Sequence, residues 1–424
     1  MGSRREAIDH WASPGMGAEA DHNGDRMSQT DERDHQARAD RFETRTVHAG
    51  AEPDPTTGAV IPAIEMSTTF KQDGVGELRQ GYDYARTDNP TRRALEEAIA
   101  DLESGSHGIG YASGMAATQN LLYLLDPGDA ILLSDDLYGG TWRLADRVWR
   151  RYGIEPVPVD LTDLDAVSGA LEEHDNVHMV WVETPTNPLL KIVDISAIVR
   201  LAAGRGPLTV VDNTFATPFL QRPLELGADV VLHSATKYLG GHSDVVGGVL
   251  ATRRDDLAER LRFHQNAAGA VPSPFDCWLV LRGLRTLALR MERACASAAL
   301  IASWLGGRPE LERVRYPGLL DHPQRDLVRR QMHLPGAIVS FEVADAAGGA
   351  ARARAIAGCT RLFTLAESLG AVESLIELPA GMTHKSVAET PLAVPAALIR
   401  LSVGIENVDD LVADLEAAFA ASAS

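Results

Sequence analysis

Four apolar runs in this sequence each hand over to residues that can do chemistry. DAILLSDD is followed by Tyr138-Gly139-Gly140, and HMVWVE ends at Glu183 before Thr184-Pro185-Thr186-Asn187-Pro188. LTVV is followed by Asp212-Asn213, and DVVLH by Ser234-Ala235-Thr236-Lys237. Short apolar runs of this kind predict buried strands, and in open α/β sheets ligands bind beyond the carboxyl ends of the strands. A phenol, buried acid, amide, hydroxyls and lysine therefore converge on one sheet edge. A lone lysine at a strand end is ordinarily a solvated surface residue; the company of Lys237 reverses that reading. It follows a buried run and has hydroxyls rather than carboxylates beside it. Desolvation then lowers its pKa below the usual ~10.4 and frees the neutral amine as a nucleophile.

Asp212, at the end of a valine run, must find a cation or a hydrogen bond. A pyridinium nitrogen is one such partner, whose protonated ring would serve as an electron sink; a helix cap or loop anchor is the other reading. The segment Tyr111-Ala112-Ser113-Gly114-Met115-Ala116-Ala117-Thr118 places a small turn at the start of a helix. Free N–H groups and the helix dipole make that position an anion site, suited to a phosphate. Gly108, Gly110 and Gly114 form G-x-G-x-x-x-G, one residue too long for the dinucleotide motif. Arg400 alternates with apolar neighbours in LIRLSVG and calls for a carboxylate, whether the protein's own or a substrate's.

The elements that must position these residues alternate helix and strand from about residue 87. Asn89-Pro90 opens a helix as an Asx cap with Pro at its first position, and Leu95, Ile99 and Leu102 recur at helical spacing. Helix-like segments 161–173 and 195–203 separate further strands, including EPVPVD. This is the pattern of a mostly parallel sheet covered on both faces. After about residue 275 one long helical stretch, 275–305, leads to strands ERVRYP, AIVSFEV and LIRLSVG and a closing helix VDDLVADLEAAFAA. The expected organisation is an acidic disordered tail (1–40), an N-terminal arm (41–86), an α/β domain (87–275) and a smaller C-terminal α+β domain (276–424).

Composition narrows the partners. The 424 residues carry a net charge of −19, which argues against nucleic acid or an anionic membrane. No run reaches the ~20 apolar residues of a membrane helix, and no secretory h-region opens the chain; a cytoplasmic protein is expected. In the tail, His10, His22 and His35 have no metal-ligand spacing, and no metal is expected. Cys277, Cys295 and Cys359 show no C-x-x-C spacing and are read as reduced core thiols.

The runs YDYARTDNPTRRALE, YASGMAAT, LYGGTWR, VWVETPTNPLLK, VVDNTFATPFLQRPLELGADVVLHSATKYLGGHSDVVGG and FTLAESLGAVESL resemble the Cys/Met-metabolism family of pyridoxal-phosphate enzymes over about residues 42–420. That family includes cystathionine γ-lyases, γ-synthases and β-lyases and methionine γ-lyases. The resemblance implies the fold-type-I, aspartate-aminotransferase-like architecture, with pyridoxal 5'-phosphate held by Lys237 as a Schiff base. It implies that Ser234, Thr236, Gly114 and Met115 hold the phosphate and that Asp212 pairs with the pyridine nitrogen. Asn187 would lie near the phenolic oxygen, and Tyr138 would stack on the ring and handle a proton. Tyr84 and Arg86 resemble residues that reach across to a neighbouring subunit's phosphate, implying a homo-oligomer of at least two chains, expected to be a tetramer. Arg400 would clamp the substrate α-carboxylate.

Substrate choice turns on the far end of the pocket. Glu367, followed by Ser368 in LAESLG, matches the acid of cystathionine-handling members, and Arg143 is placed for a distal carboxylate. Gly140 stands where methionine γ-lyases tend to carry Cys. An acid and a base there suit cystathionine and penalise an apolar tail by roughly 1–3 kcal/mol each. RLRFHQNAAGAVPSPFDCWL, YPGLLDHPQRDLVRRQ and ELPAGMTH resemble γ-lyases, whereas YDYAR, with Asp83, resembles γ-synthases as much. The expected activity is cystathionine γ-lyase, with the γ-synthase as alternative; a methionine γ-lyase or a scaffold that has lost its chemistry ranks below both. Asp88 departs from the family's usual Gly and is expected to bear on the loop carrying Arg86.

Overall fold

The computed structural model describes residues 40–390 and 392–423, so the acidic segment with His10, His22 and His35 lies outside the described residues. The apolar runs form a seven-stranded sheet: β1 (His107–Tyr111), β2 (Ala130–Ser134), β3 (Glu155–Val159), β4 (Val177–Glu183), β5 (Leu208–Asp212), β6 (Val230–Ser234) and β7 (Gly248–Thr252). Their spatial order is β1-β7-β6-β5-β4-β2-β3. Strands β2 to β6 pair in parallel, and β7 runs antiparallel between β1 and β6. Successive residues alternate between two cores. Ile131, Leu133, Met179, Trp181 and Val210 pack on one face, and Leu132, Val180, Val182 and Val211 on the other. Both faces are covered, which is why these strands read as continuous apolar runs.

Register carries the site. Glu183 lies opposite Asp212 in the β4–β5 pair, and Asp212 opposite Leu232 in β5–β6. The carboxyl ends of β4, β5 and β6 thus deliver Glu183, Asp212 and the Ser234–Lys237 turn side by side.

The helix Pro90–Leu102 starts where expected. The Asn89 side chain accepts from Thr91 N (2.9 Å) and Arg92 N (3.2 Å), and Leu95, Ile99 and Leu102 are buried.

A second sheet holds β8 (Leu311–Arg315), β9 (Ile338–Val343), β10 (Thr364–Leu365), β11 (Leu375–Glu377) and β12 (Leu398–Ser402), in the order β8-β9-β12-β11-β10. Within it Arg400 sits between Ser340 on β9 and Glu377 on β11, while Ile399 and Leu401 face the core.

Two expectations need correction. The long helical stretch is two helices, Pro274–Leu284 and Leu287–Gly306. The Gly283 carbonyl that would continue the first helix accepts instead from Thr286 N (3.2 Å) and from Arg290 Nη2 (2.8 Å). Cys277 and Cys295 are buried, but Cys359, at the end of the helix Gly349–Cys359, is exposed, so it is not a core thiol. Among the described residues no helix is long and apolar enough to cross a membrane.

Candidate active site

A cavity of about 320 Å³ opens at the carboxyl ends of the central strands, within the size range of small-molecule sites. Ser113, Gly114, Met115, Tyr138, Asn187 and Asp212 line it, and so do Ser234, Thr236, Lys237, Glu367, Ser368 and Arg400. Eleven of the fourteen residues singled out from the sequence are among these. Arg143, Tyr84 and Arg86 are not. Arg143 is exposed on the helix Gly139–Arg147, where its positive charge still acts on Tyr138. Tyr84 is 47% exposed and Arg86 Nη1 donates to Asn266 O (2.6 Å), so both lie away from their own chain's cavity.

One end of the cavity is built for an anion. The side chain of Ser113 caps the helix Gly114–Leu122 by accepting from Ala116 N (3.0 Å). The first N–H groups of that helix, on Gly114 and Met115, have no intrahelical acceptor. Gly114 packs so closely on β6 that a Cβ there would lie 2.9 Å from Ser234 Cβ and 3.0 Å from its Oγ. The Thr236 hydroxyl is fastened to Gly247, accepting from its N (3.1 Å) and donating to its O (3.3 Å). Gly114→Ala should therefore push Ser234 out of the cradle at about 1–2 kcal/mol of overpacking. The expected result is a roughly tenfold weaker dissociation constant for cofactor titrated into apoprotein; unchanged affinity would mean that Ser234 is not needed where it stands.

The floor is acidic. Asp212 Oδ1 accepts from Thr214 N (3.0 Å), and burial pushes its pKa up, opposed by the Thr214 hydrogen bonds and by His233. Beside it, Glu183 Oε2 accepts from Tyr138 N (2.9 Å). Burial and the neighbouring Asp212 charge raise Glu183 well above the ordinary carboxylate range. Among the described residues no cationic side chain forms an ion pair with Asp212. Two buried carboxylates in adjacent strands favour a cation brought by a ligand.

The same cavity also carries the bases. Lys237 Nζ donates to Ser368 Oγ (2.7 Å), and its pKa is lowered to about 8, first by burial and then by Arg400, against the pull of Glu377 and Glu367. Arg400 is 2% exposed. It donates to Asn187 Oδ1 (2.8 Å) and Ser368 O (2.8 Å) and pairs with Glu377 Oε1 at 3.1 Å. Ser368 holds these contacts with φ at 95°, a conformation that costs a non-glycine residue energy. The Tyr138 phenol is raised in pKa by burial, against the Arg143 charge, and its ring lies over Gly140. A Cβ on Gly140 would meet ring atom Cε1 at 2.3 Å.

Sequence reasoning missed Glu183 as more than a strand end, and it missed Glu377, Thr141, Thr383 and Phe215 altogether. Glu183 obeys the same strand-end rule as Asp212 and was there to be found. Glu377 was not, because its importance comes from the β11–β12 register that sets it against Arg400.

The donor set fits pyridoxal phosphate, group by group. The anion cradle suits a phosphate, the two crowded carboxylates a protonated ring nitrogen, and the amine held near neutrality a carbonyl carbon. Together with the mostly parallel sheet and the second α+β layer, they define a fold-type-I pyridoxal-phosphate enzyme.

The chain belongs to the Cys/Met metabolism PLP-dependent enzymes, whose family profile matches residues 43–420. It is 53% identical over 376 residues to the cystathionine gamma-synthase of Mycobacterium tuberculosis, covering 88% of this chain and 96% of that one. It is 50% identical over 382 residues to the cystathionine beta-lyase of Coxiella burnetii, covering 89% and 97%. A crystal structure of cystathionine gamma-lyase from Lactobacillus plantarum complexed with L-serine has a TM-score of 0.87 at 45% identity, covering 90% of this chain and 99% of that one. The protein is thus a PLP-dependent enzyme of sulfur amino-acid chemistry, either a carbon–sulfur lyase or a γ-replacement transferase.

Proposed function

We propose that this enzyme works on the Cγ–S bond of cystathionine, cleaving it with water to cysteine, 2-oxobutanoate and ammonia. The observation that carries the reading is the charge layout of one cavity. Arg400 and Glu367 both line it, and Arg143, outside its lining, is near enough for its charge to act on Tyr138. A substrate with an amino-acid head at each end matches that layout. Gly140 supports it further, since any side chain there would displace the Tyr138 ring.

Pyridoxal phosphate, when bound, supplies the electron sink for the pair left behind as the substrate loses its α-proton. Gly114, Met115, Ser234 and Thr236 would hold its phosphate and Asp212 would pair with its ring nitrogen, while Asn187 presents its amide from beside Arg400. Lys237 would be its covalent anchor, and the same amine, poised near neutrality, would take the substrate's α-proton. Ser368 orients that amine. Arg400 grips the α-carboxylate, and Tyr138, kept protonated by its raised pKa, delivers a proton to the departing sulfur; such a step is worth ~10²–10⁴-fold. Tyr84 and Arg86 complete the phosphate site of a neighbouring subunit, so the working unit is at least a dimer.

The 53% identity to a named γ-synthase favours a second reading, in which an activated homoserine ester replaces cystathionine and cysteine is the incoming thiol. Both directions share the residues above. The test is a paired assay on the purified holoenzyme, with cystathionine alone in one arm and an O-acyl homoserine ester plus cysteine in the other. Release of 2-oxobutanoate and cysteine in the first arm, with little cystathionine made in the second, is the expected result. Efficient synthesis with slow cleavage would assign the γ-synthase, and activity in neither arm would remove cystathionine as the substrate.

A further inference from the structure

Tyr84 and Arg86 sit on a short exposed stretch whose backbone is held by one buried side chain. Arg92, 2% exposed, lies in the first turn of the helix Pro90–Leu102. Its Nη1 donates to Ala85 O (3.0 Å) and Arg86 O (3.3 Å), and its Nη2 to Thr87 O (2.6 Å). Three successive carbonyls are thereby fixed in direction by a single planar fork, a geometry lysine cannot reproduce. Asp88 closes the far end, accepting from Asn89 N (2.7 Å) and from Arg93 Nε (3.0 Å). Asp88, expected to bear on this loop, therefore fastens its end to the helix.

The fork is braced from behind. Arg92 Nε lies 3.4 Å from Glu96 Oε1, and Glu96 is 4% exposed. The same Glu96 oxygen accepts from Gly110 N (2.9 Å), and the other accepts from Arg262 Nη1 (3.0 Å). Gly110 belongs to β1, which runs within four residues into the Ser113–Gly114 phosphate cradle. A Cβ on neighbouring Gly108 would lie 1.9 Å from Glu96 O, so strand and helix meet with no slack. Arg92 and Glu96 thus anchor the loop bearing Tyr84 and Arg86 to a tightly packed helix–strand junction.

We infer that Arg92, braced by Glu96, is a positioning residue that sets Tyr84 and Arg86 for the neighbouring subunit's phosphate site. It acts on the site of the other chain, not on its own. The inference rests on the proposed crossing of Tyr84 and Arg86. Losing the fork should misplace both side chains by about an ångström, a displacement that costs roughly a hundredfold in rate.

Mixed oligomers test it. Arg92→Met holoenzyme alone should lose ten- to a hundredfold in activity and release cofactor on dialysis. Arg92→Lys, which keeps the buried charge, is the second variant in case the first does not accumulate. Each is then paired, by co-expression with two tags, with Lys237→Ala chains. In the mixed dimer the Arg92-variant chain keeps Lys237 and receives an intact loop from its partner. Activity per mixed dimer should recover to about half the wild-type value, and one cofactor should be retained on dialysis. Arg86→Ala paired with Lys237→Ala is the control for the crossing itself. If the Arg86 pair recovers and the Arg92 pairs do not, Arg92 acts within its own chain and the inference fails alone. If the Arg86 pair does not recover, the crossing fails and takes the inference with it. Full activity of both Arg92 homo-oligomers would also overturn it.

Discussion

Lys237→Ala is expected to lower turnover at least ~10⁴-fold while the fold and the noncovalent docking of pyridoxal phosphate persist. The lysine has no structural partner that its loss would strand: its amine donates to the Ser368 hydroxyl, which can turn elsewhere. The wild-type apoprotein should also reveal the amine's state directly. Burial disfavours the ammonium first, Arg400 disfavours it further, and Glu377 with Glu367 restores only part, leaving a pKa of about 8. Only the neutral amine attacks a carbonyl. The rate of covalent cofactor capture should therefore rise about tenfold per pH unit from pH 6, bend near 8 and level above it. Stopped-flow absorbance across that range measures the bend. A midpoint near the ordinary lysine value of 10.5 would show a solvated amine and would undo the account of Lys237 as poised by its surroundings.

The strand-end rule made most of this site legible in the sequence, because a parallel sheet brings the residues after each apolar run to one edge whatever lies between them. Tyr138, Asn187, Asp212, Ser234 and Lys237 were reached in that way and all line the cavity. The glycine-rich turn at Gly114 was legible for a related reason, since a small residue opening a helix advertises both a close approach and free N–H groups. What stayed hidden depends on side-to-side register or on three-dimensional packing. Nothing local tells that Glu377 pairs with Arg400, because β11 is three residues long and its partner is chosen by the sheet. The break between 284 and 287 was equally silent. Leu284, Leu287 and Met291 keep a helical spacing of apolar residues across it despite Gly283 and Thr286, and the helix ends because Arg290 and Thr286 capture the Gly283 carbonyl. Cys359 misled for a simpler reason: the core reading rested on residue type and spacing alone, yet this thiol closes an exposed helix end.

The pairing of Arg400 with Glu377 separates a residue that binds from one that merely holds the fold. Arg400→Met should leave Glu377 buried without its cation, a defect of about 3–5 kcal/mol in folding stability. Thr383 still donates to Glu377 Oε1 (2.8 Å), but one neutral hydrogen bond does not offset a buried charge. The defect should depend on pH with a definite sign. Burial already raises the Glu377 pKa above its ordinary 4.5, and Arg400 is the largest influence holding it down. Without Arg400 the folded-state value climbs further, so the carboxyl binds more protons folded than unfolded. The loss of stability is then least near pH 4.5 and grows as pH rises.

Adding Glu377→Leu should return most of the lost stability, because an apolar pair tolerates burial where a lone charge does not. It should not return substrate binding. In both the single and the double variant KM for cystathionine is expected to rise at least ~100-fold, the loss of a charge-assisted, two-point grip on a carboxylate. Denaturant melts and steady-state kinetics on the same three proteins decide the matter. Recovery of stability alone marks Arg400 as the carboxylate clamp that borrows Glu377 until substrate arrives. Recovery of stability and KM together would reduce it to half of a structural ion pair.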